Sequence, residues 1–568
     1  MIRTHRAVAR RRFAICLMAA VALPACAAAP RPAAPGAGTP MAAAADPATW
    51  AGRLDAVFSS WAVGDRPGCA VGVALSGRPV DTRAYGFADL EHAARNTPET
   101  IFEAGSVSKQ FTAAAILLLA QDGRLSLDDL VRKHVPELPD YGTPLTIRHL
   151  LHHTSGLRDW GELAALAGWP RTTRVHTQAH VLDILSRQRA LNFTPGTEHS
   201  YCNSGYNLAA IIVSRVSGQS FAEFTRQRLF APLGMTRTSW RDDHTRIVRG
   251  RATAYAVTPA GYQILMPFED VHGNGGLLTT VGDLLTWNRN LATGTVGGAA
   301  LLTALHERGR LTSGRDLEYA MGLYVTSWRG LREVSHAGAT AGYRAFLARY
   351  PDRDVDVAVL CNASDADAAG LAHEVTAIAL GGVAAEGTGP GLALPRVQIE
   401  TYAGLYRNVV TGEATTIVVE GDALRLGRGP ALTALGPSTF RVGSGPAMIE
   451  FPVSEDGAVR ARLGVRGGES LVLERVPRAA PAAEALAALA GTYRSDEVEA
   501  SYEVAVADGT LVLKRRPDRA WPLEPLYEDA FSAPIGLVRF VRGSQQAVTA
   551  LTLTTGRVRA LPFARVGP

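Results

Sequence analysis

Glu103-Ala104-Gly105-Ser106-Val107-Ser108-Lys109-Gln110 runs directly into Phe111-Thr112-Ala113-Ala114-Ala115-Ile116-Leu117-Leu118-Leu119-Ala120-Gln121-Asp122-Gly123. A polar segment leading into an apolar, Ala- and Leu-rich block that stops at glycine predicts a buried helix with its C-terminal signal in place. Ser106 stands at the mouth of that helix. A residue three positions on lies on the same face, so Lys109 puts its amine one turn below the Ser106 hydroxyl. A serine hydroxyl is a weak nucleophile until a base takes its proton, and a lysine acts as base only where burial and neighbours leave its amine neutral. The apolar helix supplies the burial, and the N–H groups of its first turn lie where an oxyanion would form. The pairing suits acyl transfer.

Two further stretches carry the same chemistry. Tyr201-Cys202-Asn203 lies in a predicted loop ahead of a helix over 207–216. From there a phenol can approach the serine from the side opposite the lysine, take the Ser106 proton and pass it to the leaving group. Asn203 is then placed to hydrogen-bond the lysine or a substrate amide. His336-Ala337-Gly338-Ala339 lies at the predicted edge of a strand. Gly338 lets a substrate backbone come close, and the Ala339 N–H can pair with that of Ser106 as an oxyanion hole.

Ser-x-x-Lys, Tyr-x-Asn and His-x-Gly in this order resemble the penicillin-recognising serine hydrolases: class C β-lactamases, D-alanyl-D-alanine carboxypeptidases, D-aminopeptidases and related esterases. Leu150-Leu151-His152-His153-Thr154-Ser155-Gly156-Leu157 and Gly275-Gly276-Leu277-Leu278-Thr279-Thr280-Val281-Gly282-Asp283-Leu284 agree with that family. The resemblance implies catalysis by Ser106, Lys109 and Tyr201, substrate binding by Asn203, His336, Gly338 and Ala339, and neither cofactor nor metal. His152 and His153 lack a third ligand at any recognisable spacing and read as structural. The β-lactamases carry Lys-Thr-Gly at the third motif, where the permanent ammonium binds a substrate carboxylate. His336 is mostly neutral at pH 7, so carboxylate anchoring is expected to be weaker. His-x-Gly is similar to the version in D-aminopeptidases, which also carry two β-barrels behind the catalytic domain. A loop of the last barrel shapes specificity in that family, and the turn over 514–521 is its candidate here.

Outward from the Ser106 helix, residues 69–75 and 80–86 read as a hairpin, with strands returning over 332–335, 343–350 and 355–360 and a closing helix over 371–380. The expected fold class is α+β: an antiparallel sheet flanked by helices, built from both ends of a domain at 47–385. Beyond a Gly- and Pro-rich stretch the pattern changes to short alternating strands, and Tyr402-Ala403-Gly404-Leu405-Tyr406-Arg407 recurs as Leu489-Ala490-Gly491-Thr492-Tyr493-Arg494. A duplicated unit of this kind predicts two small antiparallel β-barrels, at 396–478 and 485–568.

The 568 residues carry a formal charge of +5, but residues 1–26 hold Arg3, Arg6, Arg10, Arg11 and Arg12 and no acid. Without those arginines the 58 basic residues fall to the number of acidic ones, 53. Nothing then favours nucleic acid or an anionic surface. The arginines, the apolar run over 13–23 and the small residues after it form a secretory signal, so an exported, periplasmic protein is expected. Leu23-Pro24-Ala25-Cys26 resembles a lipobox that would lipidate Cys26 and attach the protein to a membrane, while Ala25-Cys26-Ala27 also suits plain cleavage. The sequence leaves both open. Residues 27–46 read as an Ala- and Pro-rich linker. Cys69, Cys202 and Cys361 allow at most one intramolecular disulfide.

The expected activity is cleavage of small amides or esters through an acyl-enzyme on Ser106, with short D-amino-acid peptides or amides as substrates. Carboxylesterase, β-lactamase and D-alanyl-D-alanine carboxypeptidase are alternatives on the same scaffold. A reading of another class is a non-catalytic sensor or cell-wall-binding protein, whose pocket would keep the fold without turnover.

Overall fold

The structure, a computed structural model, describes residues 49–171, 174–381, 391–443, 447–452, 459–465 and 469–567. The leader, Cys26 and the linker at 27–46 lie outside the described residues. The described residues form two compact units, one of residues 49–165 with those from 169 to 381, the other mainly of those from 391 to 567.

The first unit is organised on a six-stranded antiparallel sheet. Its strands are β1 (Cys69–Leu75), β2 (Arg78–Tyr85), β3 (Tyr324–Trp328), β4 (Leu331–Thr340), β5 (Tyr343–Tyr350) and β6 (Val355–Cys361). They lie in the order β3-β4-β5-β6-β1-β2, so the two ends of the domain meet where β6 pairs with β1. Cys69 and Cys361 face each other in that pair and form a disulfide across 292 residues of chain.

The period-two pattern of β1 separates its faces. Cys69, Val71 and Val73 join a core with Phe346, Tyr350, Val357 and Val359 under two helices, α1 (Trp50–Val57) and α5 (Ala368–Ala379). Gly72 points the other way, where a Cβ would stand 2.9 Å from Leu285 Cδ1. Glycine there lets helix α4 (Val281–Thr293) lie directly on the sheet. Helix α2 (Lys109–Gln121) is buried from Lys109 through Leu119, as a helix apolar on all sides requires. It packs beside helix α3 (Asn203–Ser217).

Two expectations are corrected. Helix α3 starts at Asn203, with Cys202 as its N-cap, four residues before the predicted start at Asn207. His336 is no strand-edge residue: β4 continues to Thr340, and His336 is 3% exposed.

The second unit holds two closed antiparallel barrels, eight strands each, over 404–476 and 491–565. Their interiors are filled with side chains, Tyr406, Ile417, Phe440 and Leu473 in one and Tyr493, Leu513, Phe540 and Phe563 in the other. The sequence repeat is a structural one. Tyr406 donates its hydroxyl to the Tyr402 carbonyl and Tyr493 to that of Leu489, each at 2.8 Å. Residues 514–521 are the tip of a hairpin of the second barrel, with the turn at 516–518 between strands Thr510–Arg515 and Arg519–Pro525.

Candidate active site

Gly105 adopts a left-handed conformation, φ +51°, and a Cβ on it would stand 2.7 Å from the Ala339 amide nitrogen. The backbone thus turns tightly against β4. From Gly105 to Ser108 the chain makes a single 3₁₀ turn, and α2 begins at Lys109. Ser108, the second of the two residues between the motif positions, holds the turn: its Oγ donates to the Gly105 carbonyl at 2.6 Å and accepts from the Leu277 amide at 3.1 Å. Within 101–110 Ser106 alone is not buried. Gly338 is the second close approach, since a Cβ there would lie 2.0 Å from the Ala104 carbonyl oxygen. These contacts bring the Ser106 turn and the Ala339 backbone side by side, as two oxyanion donors need to be.

Lys109 is fully buried. Its Nζ lies 3.1 Å from Ser106 Oγ, 3.0 Å from Asn203 Oδ1 and 2.6 Å from the Asn274 carbonyl oxygen. It also stands 4.8 Å from the centre of the Tyr201 ring and 5.6 Å from that of Tyr206. The structure therefore gathers Ser106, Lys109, Tyr201 and Asn203 from two helices and the segment leading into the second. Asn203 is fixed through its amide, which donates to Asp159 Oδ2 at 2.9 Å. A carboxylate at the first turn of a helix is also favoured by the helix dipole.

His336 packs 6.1 Å from Tyr201, centre to centre. Its Nδ1 is 2.6 Å from the Ala337 carbonyl and its Nε2 is 3.2 Å from the Tyr319 hydroxyl. A carbonyl only accepts, so Nδ1 carries a proton toward Ala337, while the Tyr319 hydroxyl, which can donate or accept, faces Nε2. Burial pushes the Tyr319 hydroxyl well above its ordinary value, which keeps it protonated.

The sequence reading took His153 as structural and missed Asn207, Asn274 and Tyr319. The His153 ring lies 4.2 Å from that of Tyr201, tilted by 41°, and its Nδ1 accepts from the Cys202 amide at 3.1 Å. It buttresses the tyrosine. The run Gly273-Asn274-Gly275-Gly276 begins just ahead of the block noticed at Gly275, and its glycines were the available signal for a backbone in close contact. Tyr319 is separated from His336 by 17 residues, and nothing local marks the pair.

Among the described residues, Asp243, His244 and Asp270 are the one group whose ligand atoms could surround a metal ion. They engage each other and their neighbours: His244 Nδ1 with Asp270 Oδ1 at 2.8 Å, and Asp243 Oδ1 with the Thr245 amide at 2.8 Å. They are a different set of side chains from those gathered at Ser106.

The family model described as Beta-lactamase matches residues 54–380. A D-aminopeptidase of Cereibacter sphaeroides is 27% identical over 450 residues, covering 78% of this chain and 82% of the relative. Among solved structures, the octameric penicillin-binding protein homologue from Pyrococcus abyssi aligns with a TM-score of 0.53 at 22% identity, over 83% of this chain and 99% of that one. The D-amino acid amidase from Ochrobactrum anthropi SV3 aligns with a TM-score of 0.50 at 22% identity, over 58% of this chain and 97% of that one. At such identities the two structures speak to the fold.

Proposed function

The chain belongs to the beta-lactamase family, and from that premise we propose that this serine hydrolase is exported and cleaves short D-amino-acid peptides or amides through an acyl-enzyme on Ser106. The observation that carries the reading is the 3.1 Å contact between Lys109 Nζ and Ser106 Oγ inside a buried cluster with Asn203 and the Tyr201 ring. The Lys109 and Tyr201 pair takes the Ser106 proton as Oγ attacks the substrate carbonyl. The Ser106 and Ala339 amides hold the oxyanion. Collapse expels the amine, which leaves with the proton, and water then releases the acid by the same steps in reverse.

Substrate class follows from three supports. The D-aminopeptidase relative aligns over 450 residues, more than the catalytic domain alone contains. His336 lacks the permanent charge of a lysine ammonium that anchors a carboxylate, which disfavours β-lactams and C-terminal D-alanine peptides. Asn203 and the β4 backbone offer hydrogen bonds to a small amide. Export is supported by the leader at 1–26 and by the Cys69–Cys361 disulfide, a bond that persists in oxidising compartments. Lipidation of Cys26 would tether the protein to a membrane.

The test compares turnover of a D-alanine anilide, an L-alanine anilide, a short-chain aryl ester and a chromogenic cephalosporin, with Ser106→Ala as control. Preference for the D-anilide supports the proposal. Turnover of the ester alone makes the protein an esterase, and labelling by an active-site phosphonate that survives Ser106→Ala removes the nucleophile.

A further inference from the structure

Lys109 is held from a side that the motifs do not mention. Its 2.6 Å contact with the Asn274 carbonyl is shorter than its contacts with Asn203 and Ser106. Asn274 lies in an irregular segment with two left-handed glycines, Gly273 at φ +96° and Gly276 at φ +88°. No helix or sheet ladder fixes a carbonyl in such a segment, so other bonds must.

Those bonds come from the two helices that carry the site. Asn207 lies one turn after Asn203 on the same face of α3. Its Nδ2 donates to Asn274 Oδ1 at 2.7 Å and to the His272 carbonyl at 2.9 Å. Thr112, three residues after Lys109 on α2, donates its hydroxyl to the Gly273 carbonyl at 2.8 Å. A Cβ on Gly273 would stand 2.7 Å from Ala210 Cβ, so the segment lies tight against α3. Lys109, Asn207 and Thr112 are 0% exposed and Asn274 is 4%. The links close a ring: Lys109 to Asn203, along α3 to Asn207, across to Asn274, and back to Lys109.

We infer that Asn207 is a positioning residue for Lys109, holding the Asn274 carbonyl against the amine and so setting both its orientation and its affinity for a proton. The inference rests on the proposed role of Lys109 in acylating Ser106. A neutral amine has two N–H groups and one lone pair, and the oxygens of Asn203 and Asn274 can only accept. They take the two N–H groups, which leaves the lone pair facing the Ser106 hydroxyl. A carbonyl dipole also favours the charged amine. Losing it lowers the proton affinity of Lys109 while freeing the amine to turn away from Ser106. The other groups around the amine are the Tyr201 and Tyr206 rings, the Asp159 carboxylate behind the Asn203 amide, and His153, Tyr319 and His336 against Tyr201. None of them accepts a bond from the Asn207 amide.

The experiment follows labelling of Ser106 by a fluorophosphonate against pH in the full-length protein. Asn207→Ala should slow the plateau rate about tenfold and move the midpoint of the acid limb down by roughly half a unit to one unit. Asn274→Ala, which keeps the main-chain carbonyl but removes the acceptor for Asn207, should shift the midpoint the same way. The double variant should shift it no further, because the two changes break one link. A wild-type midpoint in both single variants overturns the inference, whether the rate is unchanged or uniformly reduced, since a merely structural loss lowers active protein at every pH. Failure of the Ser106 reading shows elsewhere: a wild-type protein that does not label, or label retained in Ser106→Ala, overturns both.

Discussion

The Glu103 carboxylate takes two hydrogen bonds from the Arg241 guanidinium, at 2.8 and 3.0 Å, with each side chain 1% exposed. Glu103 ends the short strand that leads into the Ser106 turn, and it pairs there with Leu278. Arg241 also stands 3.7 Å from Glu269, which in turn binds Arg171. Burial opposes the charge on Glu269, but Arg171 and then Arg241 outweigh it and hold the carboxyl below its ordinary range. Two acids and two bases alternate beneath the nucleophile turn and at the start of the segment that reaches Asn274.

Removing one member of a buried ion pair leaves the other without compensation. Arg241→Leu should therefore cost about 3–5 kcal/mol of stability, read as a lower urea midpoint with an unchanged slope. A cost under about 1 kcal/mol would mean that the Glu103 charge is neutralised by other means.

An ammonium at position 336 would restore the charge that carboxylate-bearing substrates use. A charge-assisted hydrogen bond contributes about 1.5–3 kcal/mol, so His336→Lys should raise acylation by a chromogenic cephalosporin at least about tenfold relative to the D-alanine anilide. Because His336 is 3% exposed, the variant should also lose stability. An unchanged substrate ratio would separate residue 336 from substrate choice.

His152 and His199 are both buried, and burial pushes each imidazole down to about 4. Between that value and an unfolded one near 6.5 the unfolded chain binds protons that the folded chain excludes. Stability is then complete above about pH 6.5 and falls as pH drops toward 4, by up to about 3 kcal/mol for each ring. Urea unfolding at pH 7 and pH 4.5 measures the slope, and His152→Gln should flatten it by close to one proton.

The Cys69–Cys361 disulfide closes a loop of 292 residues. Its loss in a Cys69→Ala/Cys361→Ala variant should cost about 2–4 kcal/mol. The β1 and β6 backbones remain paired from Ala70 and Leu360 to Leu75 and Val355, so the far-ultraviolet spectrum should stay the same. An unaltered midpoint after reduction would show that strand pairing alone restrains the two ends.

Residues whose work is local were legible in the sequence. Ser106 and Lys109 are three apart across the 3₁₀ turn that runs into α2, so their contact follows from helical geometry, and the apolar block buries the lysine. The strands at β1, β5 and β6 follow from short, mostly apolar runs, and the barrels from a repeat that places Tyr406 and Tyr493 in the same bond. The helix at Asn203 started earlier than expected because Asp159, 44 residues away, accepts from the Asn203 amide.

The sequence by itself determined the order of the chemistry: a serine at the mouth of a buried helix and a lysine three residues on, a Tyr-x-Asn, a His-x-Gly and a duplicated β-rich tail. Local periodicity and residue type suffice for that, because a helix or strand sets its neighbours within a few residues. Only the tertiary structure decided that the Asn274 carbonyl, 165 residues from Lys109, would meet its amine, and that the Tyr319 hydroxyl would meet the His336 ring. Those contacts depend on how helices and loops pack, and a backbone carbonyl leaves no mark in the identity of the residue that carries it.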